Sequence, residues 1–538
     1  MKPIIEIMNG HPWRFSILAT GLFFLLFNIV ATPLLNSGDD TYIMYTLAGG
    51  YGEGPTNLLQ YNNIWHPVLG WVVSGLFDIA PGVNWYTVFL LSIHLAGLVC
   101  IFYVLLERMP FVTAIVFYVS LLLFIETRQL LSLTFTGAAI VAGTGALSLL
   151  VHQLSRNKIM SGNSFLALFV LLLAGLLRLE VAWLVLMLFV PVVITVLNRQ
   201  QLIRYGVFIV AVVVMLFVMN RFHQQFYQRH IPGWKQQEQY RQNLFYTYNK
   251  QLKETIPAGA FTDSTEQALF GAGFLYDTTR FNEGKIKKIS TQITRNRSIT
   301  NKNDLNGLYW FFIEMRIYLL LFAAAVILLL LAGQRKAVYK WLLSLSAYIA
   351  IHVYLFLFMK ITMPLHLGML MILLVSLALQ VNDLHSFITG KVKPLLATAF
   401  FLLLSLWMGY RIYKENEVNI DRKEKFACAL SELNRNGDKL FIATDDYFPV
   451  NYIPIWQTPS QHPVHNLLYK DRLITFTYRK TTDRFGITNL DSAMVYDKRV
   501  FLLGKPLPAL ENGKYPAVLS APITAFGCLQ VRRLDPKP

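Results

Sequence analysis

Two adjacent aspartates, Asp39 and Asp40, are the residues of this sequence best suited to chemistry. They follow Gly38 in the stretch NSGDDTYIMYTLAGGYGEG, directly after the first long apolar run, which places them at the edge of a membrane. A carboxylate at that place is costly to desolvate, so it is usually either solvated or functional. One of the two could simply cap a helix that begins at Thr41, with Asp39 as the capping residue. Because a cap does not account for both, the pair is a candidate general base.

Polar and aromatic side chains follow the aspartates in the same segment. Tyr42, Tyr61 and His66 suit a sugar-binding cleft, where ring faces stack and hydroxyl groups need partners. The same residue types are also typical of the aromatic belt at a membrane surface. Glu53 and His66 could assist the aspartates, and one aspartate could bind a divalent metal ion, but no ligand spacing indicates a metal strongly.

Three cations interrupt apolar sequence in short turns, and each could bind an anionic leaving group. They are Arg128 in ETRQ, Arg178 in LLRLE and Lys360 in FMKITMPLH. The alternative for each is that its long side chain reaches up to the lipid headgroups and has no role in binding a ligand. Arg178 is preferred, because a guanidinium can hold a phosphate through two hydrogen bonds. Glu180, two residues further on, is a candidate for substrate binding, and its spacing from Arg178 does not ensure an ion pair on a helix. Secondary candidates are Arg221, Arg229 and Arg280.

The composition is that of a membrane protein. Hydrophobic residues make up 54% of the 538 residues and charged residues only 15%, which excludes a disordered chain, a coiled coil and an ordinary soluble enzyme. The net charge of +17 is expected to reflect cytoplasmic loops or an anionic ligand, and no nucleic-acid partner is inferred from it.

Eleven segments are predicted to cross the membrane. They are residues 14–35, 84–106, 110–126, 131–151, 163–177, 181–197, 203–219, 311–332, 338–358, 361–381 and 394–411. The stretch 163–197 is interrupted by Arg178 and Glu180, which predicts a tight hairpin. A shorter apolar stretch, 64–80, is interpreted as a helix at the interface or dipping into the membrane. His94 and His352 lie inside spans and are expected to be packed, hydrogen-bonded core residues.

Basic residues in the short loops predict the orientation. With a cytoplasmic N-terminus, the inside loops hold twelve Lys and Arg residues and the short outside loops hold three. This places the C-terminal region outside the cytoplasm in a multi-pass protein of the cell (inner) membrane. Three long segments are then predicted to lie outside: residues 36–83, 220–310 and 412–538. The first two belong to a transmembrane domain of residues 1–411, and the third follows it. The segment 220–310 is basic, with 13 basic and 7 acidic residues.

Residues 412–538 have the composition of a small soluble domain. A helical pattern (RKEKFACALSELNRNG) is followed by apolar runs that suggest strands, namely KLFIAT, LITFTY, MVYD and RVFLLG. We therefore expect an α/β domain at the C-terminus of a polytopic α-helical membrane protein. Cys428 and Cys528 could form a disulfide if this region is extracytoplasmic, and free thiols are the alternative.

The chain resembles the GT-C superfamily of membrane glycosyltransferases, which includes the aminoarabinose, protein-mannosyl and arabinofuranosyl transferases. The resemblance rests on GDD (residues 38–40) after the first span, on the two long outside segments and on the extracytoplasmic C-terminal region. The pattern of GDD, YNNIWHPVLGW and VNWY (residues 83–86) also resembles uncharacterised bacterial membrane proteins.

The resemblance implies an inverting transfer from a polyprenyl-phosphate sugar donor to an acceptor at the outer face of the membrane. Asp39, or second Asp40, would be the general base, and the acceptor would be an envelope glycan, lipid or protein. The alternatives are a polysaccharide polymerase, a transporter or flippase of lipid-linked glycans, and a structural assembly protein. A transporter is expected to show inverted repeats and broken helices near the midplane, and the sequence shows neither.

Overall fold

The protein is described by a computed structural model. The described residues are 11–35, 37–52, 54–59, 64–158, 160–251, 259, 261–272, 280–295, 313, 316, 318, 320, 323, 335–358, 362–380, 394–444, 452–469, 476–504, 517–521, 523 and 527–536.

Long apolar helices dominate the described chain. Eight segments are long and apolar enough to cross a membrane. They are α1 (Pro12–Val30), α4 (Trp85–Arg108), the segment Phe111–Leu131, α7 (Phe135–Ser155), α9 (Leu179–Val196), α10 (Arg199–His230), α14 (Arg335–Phe358, apolar over Arg335–Leu355) and α15 (Met363–Gln380). The segment Phe111–Leu131 contains α5 (Phe111–Leu121), a π-helix (Leu122–Glu126) and α6 (Thr127–Leu131).

The remaining predicted spans have different outcomes. The hairpin within 163–197 is confirmed, because α8 (Gly162–Leu177) and α9 meet at Arg178 and pack on each other. With 16 residues, α8 is shorter than the spanning helices. The span 394–411 is the first part of α16 (Pro394–Arg435), and 311–332 lies outside the described residues apart from a few positions. The total of eleven therefore stays a prediction.

Helix α7 lies at the centre of the membrane-embedded part. All its residues from Phe135 to Leu154 are buried, and it packs on α4, α8, α9 and α15. Its contact with α4 is made backbone to backbone at Gly97 and Gly145. A Cβ atom on Gly97 would lie 2.5 Å from the carbonyl oxygen of Val141, so only glycine permits this approach.

The described part of residues 36–83, which we predict to lie outside the cytoplasm, folds onto the ends of these helices. Strand β1 (Leu34–Leu35) leads into α2 (Gly38–Ala48), and α3 (Pro67–Ile79) follows. With 13 residues, α3 is too short to cross a membrane, in agreement with the interpretation of 64–80 as an interfacial or dipping helix. Strand β1 is the centre of a small sheet, parallel to β2 (Ser132–Leu133) and antiparallel to β4 (Ile453–Pro454). The C-terminal region thus supplies a strand beside α2.

The C-terminal region contains a four-stranded sheet in the order β5-β3-β6-β8. Its strands are β3 (Leu440–Ala443), β5 (Leu467–Tyr469), β6 (Val500–Leu503) and β8 (Val531–Arg532), with β3 parallel to β5 and β6. Alternate residues of β3 face two cores. Phe441 and Ala443 join the large core of the membrane helices, whereas Leu440 and Ile442 join a second core.

The second outside segment completes this second core. Beyond α10, the described chain forms α11 (Trp234–Gln251), α12 (Ser264–Ala272) and α13 (Glu283–Arg295). Phe270, Ile286 and Ile289 pack with Leu440 and Ile442. The second outside segment therefore shares its core with the C-terminal sheet, a relation that the sequence did not reveal.

Two strand predictions are wrong, and two are confirmed. The runs KLFIAT and RVFLLG contain β3 and β6. The run MVYD belongs to α18 (Leu490–Tyr496), which Asn489 caps, and the described part of LITFTY begins α17 (Phe476–Arg484). Short apolar runs do not distinguish a strand from a buried turn of helix. The last described strands are β7 (Ala517–Leu519) and β9 (Leu534–Pro536), which pair with each other.

A disulfide joins the long helix to the end of the chain. Cys428, on α16, is bonded to Cys528, and the third cysteine, Cys100, is free and buried. Helix α16 runs without a break through residue 411, where we predicted the transmembrane domain to end. That boundary stays a prediction, but it would fall inside a continuous helix.

Candidate active site

The serine before the aspartates caps the helix that carries them. Ser37 accepts a hydrogen bond from the Asp40 backbone N–H at 3.1 Å, and its hydroxyl donates to Asp40 Oδ2 at 2.6 Å. Helix α2 therefore begins at Gly38, and the idea that Asp39 caps a helix from Thr41 is wrong. Ser37-Gly-Asp-Asp40 matches the serine-x-x-acid signature of a helix start, so the sequence carried the signal.

The Asp40 carboxyl group joins three segments of the chain. It is fully buried, and besides Ser37 it accepts hydrogen bonds from the Tyr86 hydroxyl at 2.6 Å and the Phe135 backbone N–H at 2.8 Å. Phe135 is the first residue of α7, where backbone N–H groups point outward and favour a negative charge. Burial raises the pKa of Asp40 to about 7, against the lowering effect of its three hydrogen bonds. Asp40 therefore positions α2 against α4 and α7.

Asp39 has a different environment from its neighbour. It lies in the first turn of α2 and is only partly buried, whereas Asp40 has no exposed surface. The two adjacent carboxylates point to different surroundings because consecutive residues of a helix face different sides. Of the two, Asp39 is the one with exposed surface.

Arg178 reaches the same end of α7 from the hairpin between α8 and α9. Its guanidinium lies 5.5 Å from the centre of the Phe135 ring, and Nη1 donates to the Thr136 hydroxyl. Arg178 Nε is buried without a hydrogen-bond partner, and Glu180 is 4.0 Å from it, at the limit of an ion pair. Asp40 and Arg178, 138 residues apart in sequence, therefore both contact the first two residues of α7.

Of the other two predicted cations, only Arg128 lies among the described residues, and its printed partners belong to other parts of the chain. Arg128 forms an ion pair with Glu415 on α16 at 2.8 Å and donates to the Tyr318 hydroxyl at 3.2 Å. With its side chain 9% exposed, Arg128 links α6 to α16. Lys360 lies outside the described residues, as do Tyr61 and Glu53.

The tyrosines of α2 form packing beneath the aspartates. Tyr42 is 1% exposed, and its ring lies 6.0 Å from that of Tyr51, which in turn lies 5.4 Å from Tyr45. Trp65 is fully buried against Tyr86, the partner of Asp40. In this structure Tyr42 supports the helix and does not line an open cleft.

His66 is held as a neutral side chain. Its Nδ1 accepts a hydrogen bond from the Val68 N–H at the start of α3, and its Nε2 donates to the Met219 carbonyl at 2.8 Å. Burial lowers the pKa of His66, which agrees with this neutral form. His66 lines a small cavity of about 20 Å³ with Leu176, Leu179, Asn220 and others. Glu180 is exposed at the neighbouring turn.

A segment of the C-terminal region covers α2. We call residues 453–465 the strap. Besides the pairing of β4 with β1, Asn84 Nδ2 donates to the Ile455 carbonyl at 2.8 Å, and the Tyr45 hydroxyl donates to the His462 carbonyl at 3.2 Å. The backbone N–H of Val464 donates to Gly50 at the end of α2. No feature of the sequence indicated that a segment more than 400 residues away would pack on α2.

Sequence reasoning also missed several residues of the cluster. Tyr86 ends the quoted VNWY pattern, but its bond to Asp40 depends on how α4 packs on α2. Thr136 and Phe135 lie in an apolar span and carry no motif. In the described part of the chain, no group of three or more His, Cys, Asp or Glu residues is placed to hold a metal ion.

The fold is that of a polytopic helical membrane protein with an acidic and cationic cluster at one end of its central helix. Comparisons with protein-family models, with curated proteins and with solved structures found no match for the chain.

Proposed function

We propose that the protein is a glycosyltransferase that moves a sugar from a polyprenyl-phosphate donor to an acceptor in the cell envelope. The observation that carries the proposal is the meeting of Asp40, the neighbour of Asp39 on α2, and Arg178 at the first two residues of α7. Transfer from a phosphosugar needs a base for the acceptor hydroxyl and a cation for the phosphate that leaves. The cluster contains one of each, at the end of a membrane helix where a lipid-linked donor would present its headgroup.

The roles divide by exposure. Asp39, the accessible carboxylate, accepts the proton of the acceptor hydroxyl as that oxygen attacks the anomeric carbon with inversion. Arg178, whose side chain is 30% exposed, binds the departing polyprenyl phosphate through its guanidinium N–H groups. Asp40 is a positioning residue, because its oxygens accept bonds from Ser37, Tyr86 and Phe135. A metal ion is left out of this scheme.

The site is placed on the outer side of the cell membrane, with the N-terminus in the cytoplasm. The bias of Lys and Arg toward the opposite loops supports this orientation. The Cys428–Cys528 disulfide supports it independently, since disulfides persist outside the cytoplasm. In this arrangement the donor arrives through the membrane lipid, and the acceptor glycan, lipid or protein arrives from the envelope.

The test is donor turnover by the purified protein with a panel of radiolabelled polyprenyl phosphosugars and cell-envelope extract as acceptor. Asp39→Asn should lower turnover by about 100-fold or more, because loss of a general base typically costs that much. Arg178→Lys keeps the charge but loses the two-pronged contact, and should weaken donor binding more than it slows the chemical step.

Asp78→Asn is the matched control, since Asp78 is an exposed carboxylate of the same outside segment, and it should keep wild-type turnover. Full turnover by a folded Asp39→Asn variant would remove Asp39 as the base. Turnover of no donor in the panel by wild-type protein, with every acceptor fraction, would contradict the proposed reaction.

A transporter of lipid-linked glycans is the second candidate. One observation favours it: His94 and Glu126 form a buried pair inside the membrane helices, where transporters often carry ionisable residues. An assay in detergent solution distinguishes the two functions, because a transferase still consumes the donor there and a transporter leaves the donor unchanged.

A further inference from the structure

A group of polar side chains lies inside the membrane helices and is distinct from the aspartates and Arg178. His94 on α4 and Glu126 at the end of the π-helix contact each other through Nδ1 and Oε1 at 2.7 Å, and both side chains have no exposed surface. Gln129 follows Glu126 by three residues and is 2% exposed. Residues three apart on a helix lie on the same side, so Gln129 and Glu126 are neighbours.

Four polar atoms of this group lack a hydrogen-bond partner. They are His94 Nε2, Glu126 Oε2, and both Nε2 and Oε1 of Gln129. An unsatisfied polar atom in a buried place costs about 1–3 kcal/mol, and hydrocarbon offers no substitute for water. Four such atoms are concentrated on three side chains here, whereas other side chains of the described chain, such as Thr113 and Gln380, have one such atom each.

The π-helix determines which way the Glu126 side chain points. It occupies Leu122–Glu126, between α5 and α6. A π-turn adds a residue to the helical repeat and rotates the side chains that follow it, and such turns are frequent at functional sites. Here it turns an acidic side chain toward α4 and away from lipid.

The group lies close to the helix start that binds Asp40. Gln129 Oε1 is the atom nearest to the place where Gly137 would carry a Cβ, at 2.7 Å. Gly137 is two residues from Phe135, whose N–H binds Asp40. A side chain on Gly137 would therefore displace Gln129 from this position.

We propose that His94, Glu126 and Gln129 form a binding site for ordered water inside the membrane-embedded part of the protein. The unsatisfied atoms provide a carboxylate oxygen, an amide oxygen, an amide N–H group and an imidazole nitrogen, which together offer both donors and acceptors. Water is the small ligand that satisfies both kinds of group at once, and buried waters typically make about three hydrogen bonds to such atoms. This inference does not rest on the proposed transferase activity.

The sign of a stability change tests the site. If water is bound, Gln129→Leu removes two of its partners and should lower the Tm of the detergent-solubilised protein. If the atoms are unsatisfied and dry, the same substitution removes two unsatisfied atoms and should raise the Tm, which would overturn the proposal. Gln129→Met, which is closer in shape to glutamine, should lower the Tm in the same way and guards against an effect of side-chain shape.

Gln380 provides the matched control. It is buried in α15, and its Oε1 also lacks a partner, but its Nε2 donates to Thr195 and Ser344 within the protein. Because Gln380→Leu breaks both of these bonds, it should lower the Tm whether or not the other site is hydrated. An experimental density map supplies a second readout. Water between Glu126 and Gln129 is expected, and a map that shows these side chains paired directly, with no water, would also overturn the proposal.

Discussion

The Asp40 carboxyl group combines complete burial with three hydrogen bonds and an adjacent acidic residue. Desolvation disfavours its charged form, and the negative charge of Asp39 acts in the same direction. The hydrogen bonds from Ser37, Tyr86 and Phe135 oppose both effects. The result is a carboxyl group whose protonation changes near neutral pH and whose ionisation affects the stability of the fold around α2.

The sign of this effect follows from the raised pKa. Between pH about 4 and pH about 7 the folded protein keeps a proton on Asp40 that the unfolded chain has lost, so the free energy of unfolding falls as the pH rises. Asp40→Asn cannot ionise. Its Tm relative to wild type should therefore increase between about pH 5 and about pH 8, whatever the constant cost of the lost bonds. Thermal unfolding in detergent at several pH values measures this difference.

Asp78→Asn, an exposed change, should show a constant Tm difference over the same range. A constant difference for Asp40→Asn as well would mean that Asp40 is already ionised at pH 5 in the folded protein.

The helices of the membrane-embedded part depend on close approach at small residues. At Gly97 and Gly145, α4 and α7 touch through their backbones, and a Cβ at either place would collide with main-chain atoms. Backbone atoms cannot move aside as a flexible side chain can. This contact also fixes the relative position of Tyr86 on α4 and Phe135 on α7, the two residues that meet at Asp40.

Gly97→Ala should therefore destabilise the protein by about 1–3 kcal/mol or more, as overpacking of a core does. Gly21→Ala, in α1, is the control, since a Cβ there would meet nothing within 4 Å and alanine favours a helix over glycine. Thermal unfolding of both variants gives the comparison. Equal Tm values for the two variants would contradict the close packing of α4 on α7.

The local sequence pattern predicted some helices and turns well, but it did not predict contacts between residues that are distant in sequence. The hairpin at Arg178 was predictable, because a cation and Glu180 interrupt an apolar stretch too long for one helix. The sequence indicated the aspartate pair by its place after the first span, and its catalytic role stays a prediction. The partners of Asp40 were not, since Tyr86 and Phe135 reach it only through helix packing that has no short-range signature. The buried Glu126 was missed because a π-turn does not follow the 3.6-residue period used to assign sides of a helix.

At the scale of the whole molecule, the C-terminal region and both outside segments are built into one structure. The strap covers α2, and the C-terminal sheet shares a core with the second outside segment. Helix α16, at 42 residues about 63 Å long, connects this assembly to the membrane helices. The C-terminal region is therefore part of the surroundings of the aspartates.

The disulfide allows a test of whether the C-terminal region lies outside the cytoplasm. In protein purified without reductant and then denatured, one thiol, that of Cys100, should react with a maleimide reagent, and three should react after reduction. Mass spectrometry of the labelled chain counts them. Three reactive thiols without reductant would show that the bond is absent and would remove that support for an extracytoplasmic C-terminal region.

The same bond closes a loop of the chain that contains the strap, since its two cysteines are 100 residues apart in sequence. A protease that cut once within this loop would produce two polypeptides that remain a single covalent molecule. The strap would stay joined to the rest of the molecule through the side that was not cut, either through α16 or through the C-terminal strands and the disulfide. Covalent connectivity therefore protects the cover over α2 from a single break in the exposed part of the chain.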